Sequence, residues 1–146
     1  MSLRRILMLL GRLALGLVFL YAAYTKLRQP WLLFAISIDS YRLLPEQAVL
    51  LLARVIPWLE LALGVLLITG YRLAYVASVA TALLLVFMGV MIRAYGQGLG
   101  IDCGCFGVGE ALSLVTLARD GALLLISIAI TIAAFRTSKP ATVAYG

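Results

Sequence analysis

The sequence predicts an all-α membrane protein: four transmembrane helices in an antiparallel bundle, with a short interfacial segment after the first. Three observations carry this. Hydrophobic residues make up 64% of the 146 and charged residues 12%, about half the charged share of an ordinary soluble domain. The mean hydropathy is +1.11. Four stretches of about 20 mostly apolar residues, the length that crosses a bilayer, follow one another along the chain. No stretch alternates with period two over the ten or so residues of a membrane β-strand. Disordered, coiled-coil and disulfide-scaffold classes are excluded by the same composition. Histidine is absent, which removes His-ligated haem, histidine general bases and most zinc sites.

Span one runs over 6–27. Arg4 and Arg5 precede it, but the apolar run from Ile6 to Ala23 exceeds the 7–15 residues of a signal-peptide core, so a retained helix is expected. Span two runs over 45–69. Pro45 suits a first helical position, where its missing N–H costs nothing, and Glu46 suits the positive end of the helix dipole. Pro57 falls inside this span and should kink it. Span three covers 73–93, and Gly70, Tyr71 and Arg72 form the tight turn that makes it antiparallel to span two. Span four covers 114–135, with Ser113 placed to cap it. The chain is one membrane domain, 1–146, with 136–146 as a flexible tail.

Two longer connections remain. The first, from Arg28 to Leu44, carries Trp31, Leu32, Leu33, Phe34, Ile36 and Ile38 and reads as the interfacial segment. The second, from Ala94 to Leu112, is rich in glycine and contains both cysteines. Four spans place both termini on one side with Arg4, Arg5, Arg72, Arg136 and Lys139. The opposite side holds Lys26, Arg28, Arg42 and Arg93. The basic residues favour cytoplasmic termini and outward-facing connections, with the Arg4–Arg5 pair at the first helix deciding. Scattered over membrane ends, they do not form a nucleic-acid footprint despite the net charge of +6.

The residues that carry chemistry are Asp102-Cys103-Gly104-Cys105-Phe106-Gly107. Gly104 allows the bend that a bridge between Cys103 and Cys105 requires. A ring closing three residues stabilises by only about 1.6 kcal/mol in the chain-entropy picture, and strain makes a disulfide easier to reduce. This favours a redox pair, Cys103 and Cys105, over a structural clip. Two thiolates with Asp102 and no histidine make a poor zinc site, though copper(I) stays open.

Charges inside spans are costly and usually face the bundle interior. Arg12, Arg54, Glu60, Arg119 and Asp120 all fall within spans. Glu60 lies nine residues from Thr69, roughly 13 Å from that end, and Arg12 enters from the same side. The two are expected to form an intramembrane ion pair. Arg119 and Asp120 lie early in span four, just beneath the cysteine connection, where a guanidinium would favour the thiolate. Thr116, Asp120, Ser127 and Thr131 on span four, and Ala74, Ser78 and Ala82 on span three, read as helix-packing faces.

The chain resembles the MauE/DoxX-like membrane proteins, the methylamine-utilisation protein E branch in particular. The carrying residues are Phe19, Tyr24 and Lys26; Tyr41-Arg42-Leu43-Leu44-Pro45; Glu60 and Gly64; Cys103-Gly104-Cys105-Phe106-Gly107; then Leu112-Ser113 and Arg119. The resemblance implies a bacterial four-helix inner-membrane protein linked to maturation of a disulfide-rich periplasmic dehydrogenase subunit, alongside a thioredoxin-like partner. The expected function is therefore periplasmic thiol–disulfide exchange through the Cys-Gly-Cys pair, which leaves a thiol–disulfide oxidoreductase activity open. No cofactor is expected within the chain. One cysteine pair cannot pass electrons across a bilayer by successive disulfides, so they end at a membrane quinone or another partner, or the reaction stays outside. The alternative is a non-catalytic subunit of a larger respiratory or photosynthetic membrane complex, its cysteine connection a structural clip.

Overall fold

The computed structural model describes residues 2–98, 102–104, 107–111 and 113–143, the short strands and the last seven residues by backbone alone. The elements are α1 (Leu3–Arg28), α2 (Trp31–Asp39), α3 (Glu46–Thr69), α4 (Leu73–Gly96), β1 (Asp102–Gly104), β2 (Gly107–Ala111) and α5 (Leu114–Val143). Four of the helices, α1, α3, α4 and α5, are long and apolar enough to cross a membrane and fit a multi-pass membrane protein.

Local chemistry sets the boundaries. The Ser2 hydroxyl accepts the Arg5 N–H at 3.4 Å and starts α1. Pro45 directly precedes α3. Gly70 ends α3 in the left-handed region (φ 78°), its N–H donating to Leu66 O at 2.9 Å, a conformation glycine adopts without steric cost. Ser113 and Thr116 cap α5 reciprocally: the Thr116 N–H donates to Ser113 Oγ at 3.4 Å, and the Ser113 N–H to Thr116 Oγ1 at 2.8 Å. α5 continues past Phe135 to Val143.

The expected interfacial segment is α2. It lies against α3, where Phe34 and Ala35 bury with Val49, Ala53 and Ile56. The main core joins all four long helices through Leu15, Phe19, Leu63, Leu67, Val76, Ala77, Ala80 and Ile130. Near their connecting turn α3 and α4 share this core. Toward the other end an apolar groove of about 400 Å³ lies between them, with Phe34 and Ile38 of α2 on its third side.

The glycine-rich connection forms a small antiparallel hairpin that the hydrophobic pattern does not signal. Asp102 pairs with Ala111 and Gly104 with Gly107, with an irregularity between. The hairpin lies against α2 and reaches α1.

Candidate functional site

α1 and α3 cross at two glycines. A Cβ on Gly16 would lie 3.0 Å from Gly64 O, and one on Gly64 would lie 2.9 Å from Gly16 O. Such contact needs a residue without a side chain on both helices. The crossing also fixes the register of everything above and below it.

Above it lies a buried ion pair. Lys26 Nζ donates to Glu60 Oε2 at 2.8 Å and to Oε1 at 3.0 Å. The side chains are 0% and 6% exposed. The Phe34 ring of α2 sits over the ammonium, 5.3 Å from Nζ to its centroid. Three helices thus enclose one cation, which Glu60 neutralises and an aromatic face further stabilises.

The expected Arg12–Glu60 pair does not form; Glu60 belongs to Lys26, and Arg12 turns the other way. Helical side chains lean toward the N-terminus of their own helix. In an antiparallel pair crossing at Gly16 and Gly64, Arg12 therefore leans toward the Gly70 end while Glu60 leans away from it. The Arg12 guanidinium donates to Ile68 O at 3.5 Å and packs so closely on the turn that a Cβ at Gly70 would lie 2.9 Å from it. There a cation meets the negative end of the α3 dipole. Lys26 leans back along α1 toward the level Glu60 reaches, so the same geometry brings those two together.

A signal for Lys26 is present in the sequence. Leu15, Phe19, Ala22 and Lys26 follow helical spacing, and all four are buried. A lysine that continues an apolar stripe calls for a buried acid, and Glu60 supplies it. Counting Lys26 among the loop charges hides this.

On α5, Arg119 Nε donates to Asp120 Oδ1 at 3.2 Å, with side-chain exposures of 33% and 8%. Asp120 and Glu60 line one small cavity of about 40 Å³ between the long helices, walled by Leu15, Phe19, Ala22 and Phe87 among others. The expected packing face of α5 meets α4 through hydroxyls. Thr81 Oγ1 lies 2.6 Å from Ser127 Oγ and 3.1 Å from Thr131 Oγ1. On α4 the buried stripe passes through Ala77 and Ala80, whereas Ala82 lines the groove facing α3.

Cys103 lies on β1 and Gly104 ends that strand opposite Gly107. Cys105 and the side chain of Cys103 fall outside the described residues, so the expected sulfur pair and its distance to Arg119 do too.

The sequence model of the family described as methylamine utilisation protein MauE matches residues 4–134. Among curated relatives, the methylamine utilization protein MauE of Paracoccus denitrificans is 35% identical over 135 residues, covering 90% of this chain and 69% of the relative. The protein of the same name from Methylophilus methylotrophus is 35% identical over 94 residues, covering 64% and 49%. That of Methylorubrum extorquens is 32% identical over 107 residues, covering 71% and 57%. The chain thus spans about two thirds of the first relative's length and about half that of the other two. No solved structure matches. With nearly its whole length matched, and Glu60, Gly64 and the Cys103-Gly104-Cys105 segment inside the matched region, the chain belongs to the MauE family.

Proposed function

We propose that this chain is a bacterial inner-membrane protein, with both termini in the cytoplasm, that supports periplasmic thiol–disulfide exchange in the maturation of a redox protein. The observation that carries the reading is the placement of the chain's two cysteines. They are one residue apart in the sequence, and the strand β1 that carries Cys103 lies against α2, in the connection at the end of the bundle away from the termini. An oxidising compartment lets a disulfide persist there. The relatives' names attach them to methylamine utilisation, and a disulfide-rich periplasmic dehydrogenase subunit is the client class this reading takes.

A client thiolate attacks one sulfur of the Cys103–Cys105 bond, forming a mixed disulfide and releasing the other cysteine as thiolate. A second client thiolate resolves the mixed disulfide. The client has lost two electrons and two protons; Cys103 and Cys105 have gained them as two thiols. Reoxidation passes the electron pair to the disulfide of a thioredoxin-like partner, or to a membrane quinone that takes up two protons with it. Arg119 and Asp120, one to two turns into α5, are supporting residues in this reading, and the Lys26–Glu60 pair holds the frame on which α2 and the hairpin rest.

Single Cys→Ser variants in native membranes test the proposal. In a single variant the remaining thiolate can still attack the disulfide of the thioredoxin-like partner in the reoxidation step, but the chain has no second thiol to release it, so a mixed disulfide with that partner should be trapped, recoverable without reductant and released by it. Full function in the double Cys→Ser variant, with no trapped species from either single variant, would instead support a structural subunit of a larger membrane complex.

A further inference from the structure

A second site lies on the flank of the bundle, where α1 ends, α2 begins and α3 passes. It is an open pocket of about 510 Å³ bordered by Gln29, Pro30, Trp31, Arg54, Pro57 and Trp58. The chain has two tryptophans, and both line it. The Arg54 guanidinium lies over Trp31, with Cζ 4.3 Å from the ring centroid. Trp58, one turn further along α3, is 61% exposed. Lys26 also borders the pocket, but Glu60 neutralises it.

Arg54 stands eight residues inside a helix long and apolar enough to span a membrane. No carboxylate pairs with it among the described residues. A cation at that depth is costly unless it reaches an anion at the interface. A cation–π contact leaves the hydrogen-bonding capacity of the guanidinium unused. Its N–H donors lie in the plane, in the fork that matches phosphate oxygens bidentately. Tryptophan rings concentrate at headgroup level, where one edge is apolar and the other wet. An uncompensated guanidinium, two tryptophans and an open pocket at the bilayer flank fit one ligand chemistry: a phosphate joined to hydrocarbon.

We propose that this pocket holds the headgroup of an anionic phospholipid, its phosphate on the in-plane N–H groups of Arg54 and its glycerol and upper acyl chains against Trp31 and Trp58. A zwitterionic lipid brings its own cation to a site that already holds one, so phosphatidylglycerol is preferred over phosphatidylcholine. The site is independent of the cysteine pair and stands or falls separately from the redox reading.

Because both tryptophans lie in the pocket, intrinsic fluorescence reports its occupancy. The full chain in detergent micelles is titrated with phosphatidylglycerol or phosphatidylcholine carrying bromine on the acyl chains, which quenches tryptophan on contact. Half-quenching is expected at about fivefold lower mole fraction of the anionic lipid, the preference one well-placed basic residue supplies. Arg54→Gln should bring the two curves together, and Arg54→Lys should fall between. Equal quenching by both lipids, or a preference that survives Arg54→Gln in a variant with wild-type helical circular dichroism, overturns the proposal. An Arg54-dependent emission shift caused by inorganic phosphate alone would assign the site to the free ion and overturn the lipid as its ligand. Native mass spectrometry of the wild-type protein keeps the test independent of any variant. Released from micelles holding equal amounts of the two lipids, the protein should retain phosphatidylglycerol; equal retention of both contradicts the assignment.

Discussion

The α1–α3 and α4–α5 interfaces are both antiparallel helix pairs in an apolar surrounding, yet different chemistry holds them. α4 and α5 meet through small residues and hydroxyls, and the hydroxyls have local fallbacks: Thr81 Oγ1 also donates to Ala77 O and Thr131 Oγ1 to Ser127 O, both at 2.8 Å. Losing a cross-helix partner leaves each of these threonines bonded within its own helix. α1 and α3 meet at two bare glycine backbones and at a charge pair. With its side chain fully buried, Lys26 is left as an uncompensated buried charge if Glu60 is neutralised. The lesson is that polar contacts of similar length differ in worth by what remains when one partner goes.

The largest effect is therefore expected at the ion pair. Glu60→Gln should destabilise the protein by about 3–5 kcal/mol, the range for removing one partner of a buried pair, read from unfolding in mixed detergent. The combined Lys26→Met/Glu60→Leu variant should recover part of this loss. By contrast, Arg12→Leu and Glu60→Leu should add without coupling, because the two side chains diverge from the glycine crossing. A large coupling between Arg12 and Glu60, with none between Lys26 and Glu60, would break the register described above.

Gly64→Val comes next. Its side chain would enter space already held by Leu20 and by the Gly16 carbonyl, which lie 2.8 and 2.9 Å from the position of a Cβ. Overpacking of this kind costs about 1–3 kcal/mol. The matching change on the other pair, Ser127→Ala, should cost only about 0.6 kcal/mol, the average for a hydroxyl contact between membrane helices, although Ser127 is 0% exposed. Similar losses for Gly64→Val and Ser127→Ala would erase the distinction between the interfaces.

The smallest effect on stability is expected at Arg119. Its side chain is one third exposed and bonds the adjacent residue, so Arg119→Leu should change stability by less than about 1 kcal/mol. If Arg119 favours the thiolate in the hairpin segment, the same variant slows thiol exchange, measured by stopped-flow reaction with a small disulfide. An unchanged rate would remove Arg119 from the exchange chemistry.

The long elements are legible in the sequence because each is fixed locally. Runs of apolar residues mark the spans, Gly70 the turn and Ser113 the cap on α5, and these boundaries hold to within a few residues except where α5 runs on. What is not legible depends on register. The pairing of Lys26 with Glu60 rests on where Gly16 meets Gly64, and on the direction in which helical side chains lean. A span diagram that places Arg12 and Glu60 on the same side contains neither. The groove between α3 and α4 is hidden for a related reason. A tight turn implies close neighbours, but α3 and α4 share a core only near that turn, and toward the other end they part around a groove that Phe34 and Ile38 of α2 border. The hairpin is hidden because Asp102–Gly104 and Gly107–Ala111 carry too few alternating apolar residues to register as strands. At the cysteines the sequence supplies the motif Cys103-Gly104-Cys105, and the backbone adds that β1, which carries Cys103, lies beside α2.

The central claim is that this pair exchanges rather than clips. Redox titration of the purified protein, with thiols counted by mass spectrometry at each potential, tests it most directly. The Cys103–Cys105 bond is expected to open at a potential above about −300 mV, the level below which structural disulfides of secreted proteins typically lie. A bond that remains oxidised well below that value would contradict the exchange role and leave the cysteine pair as a structural clip.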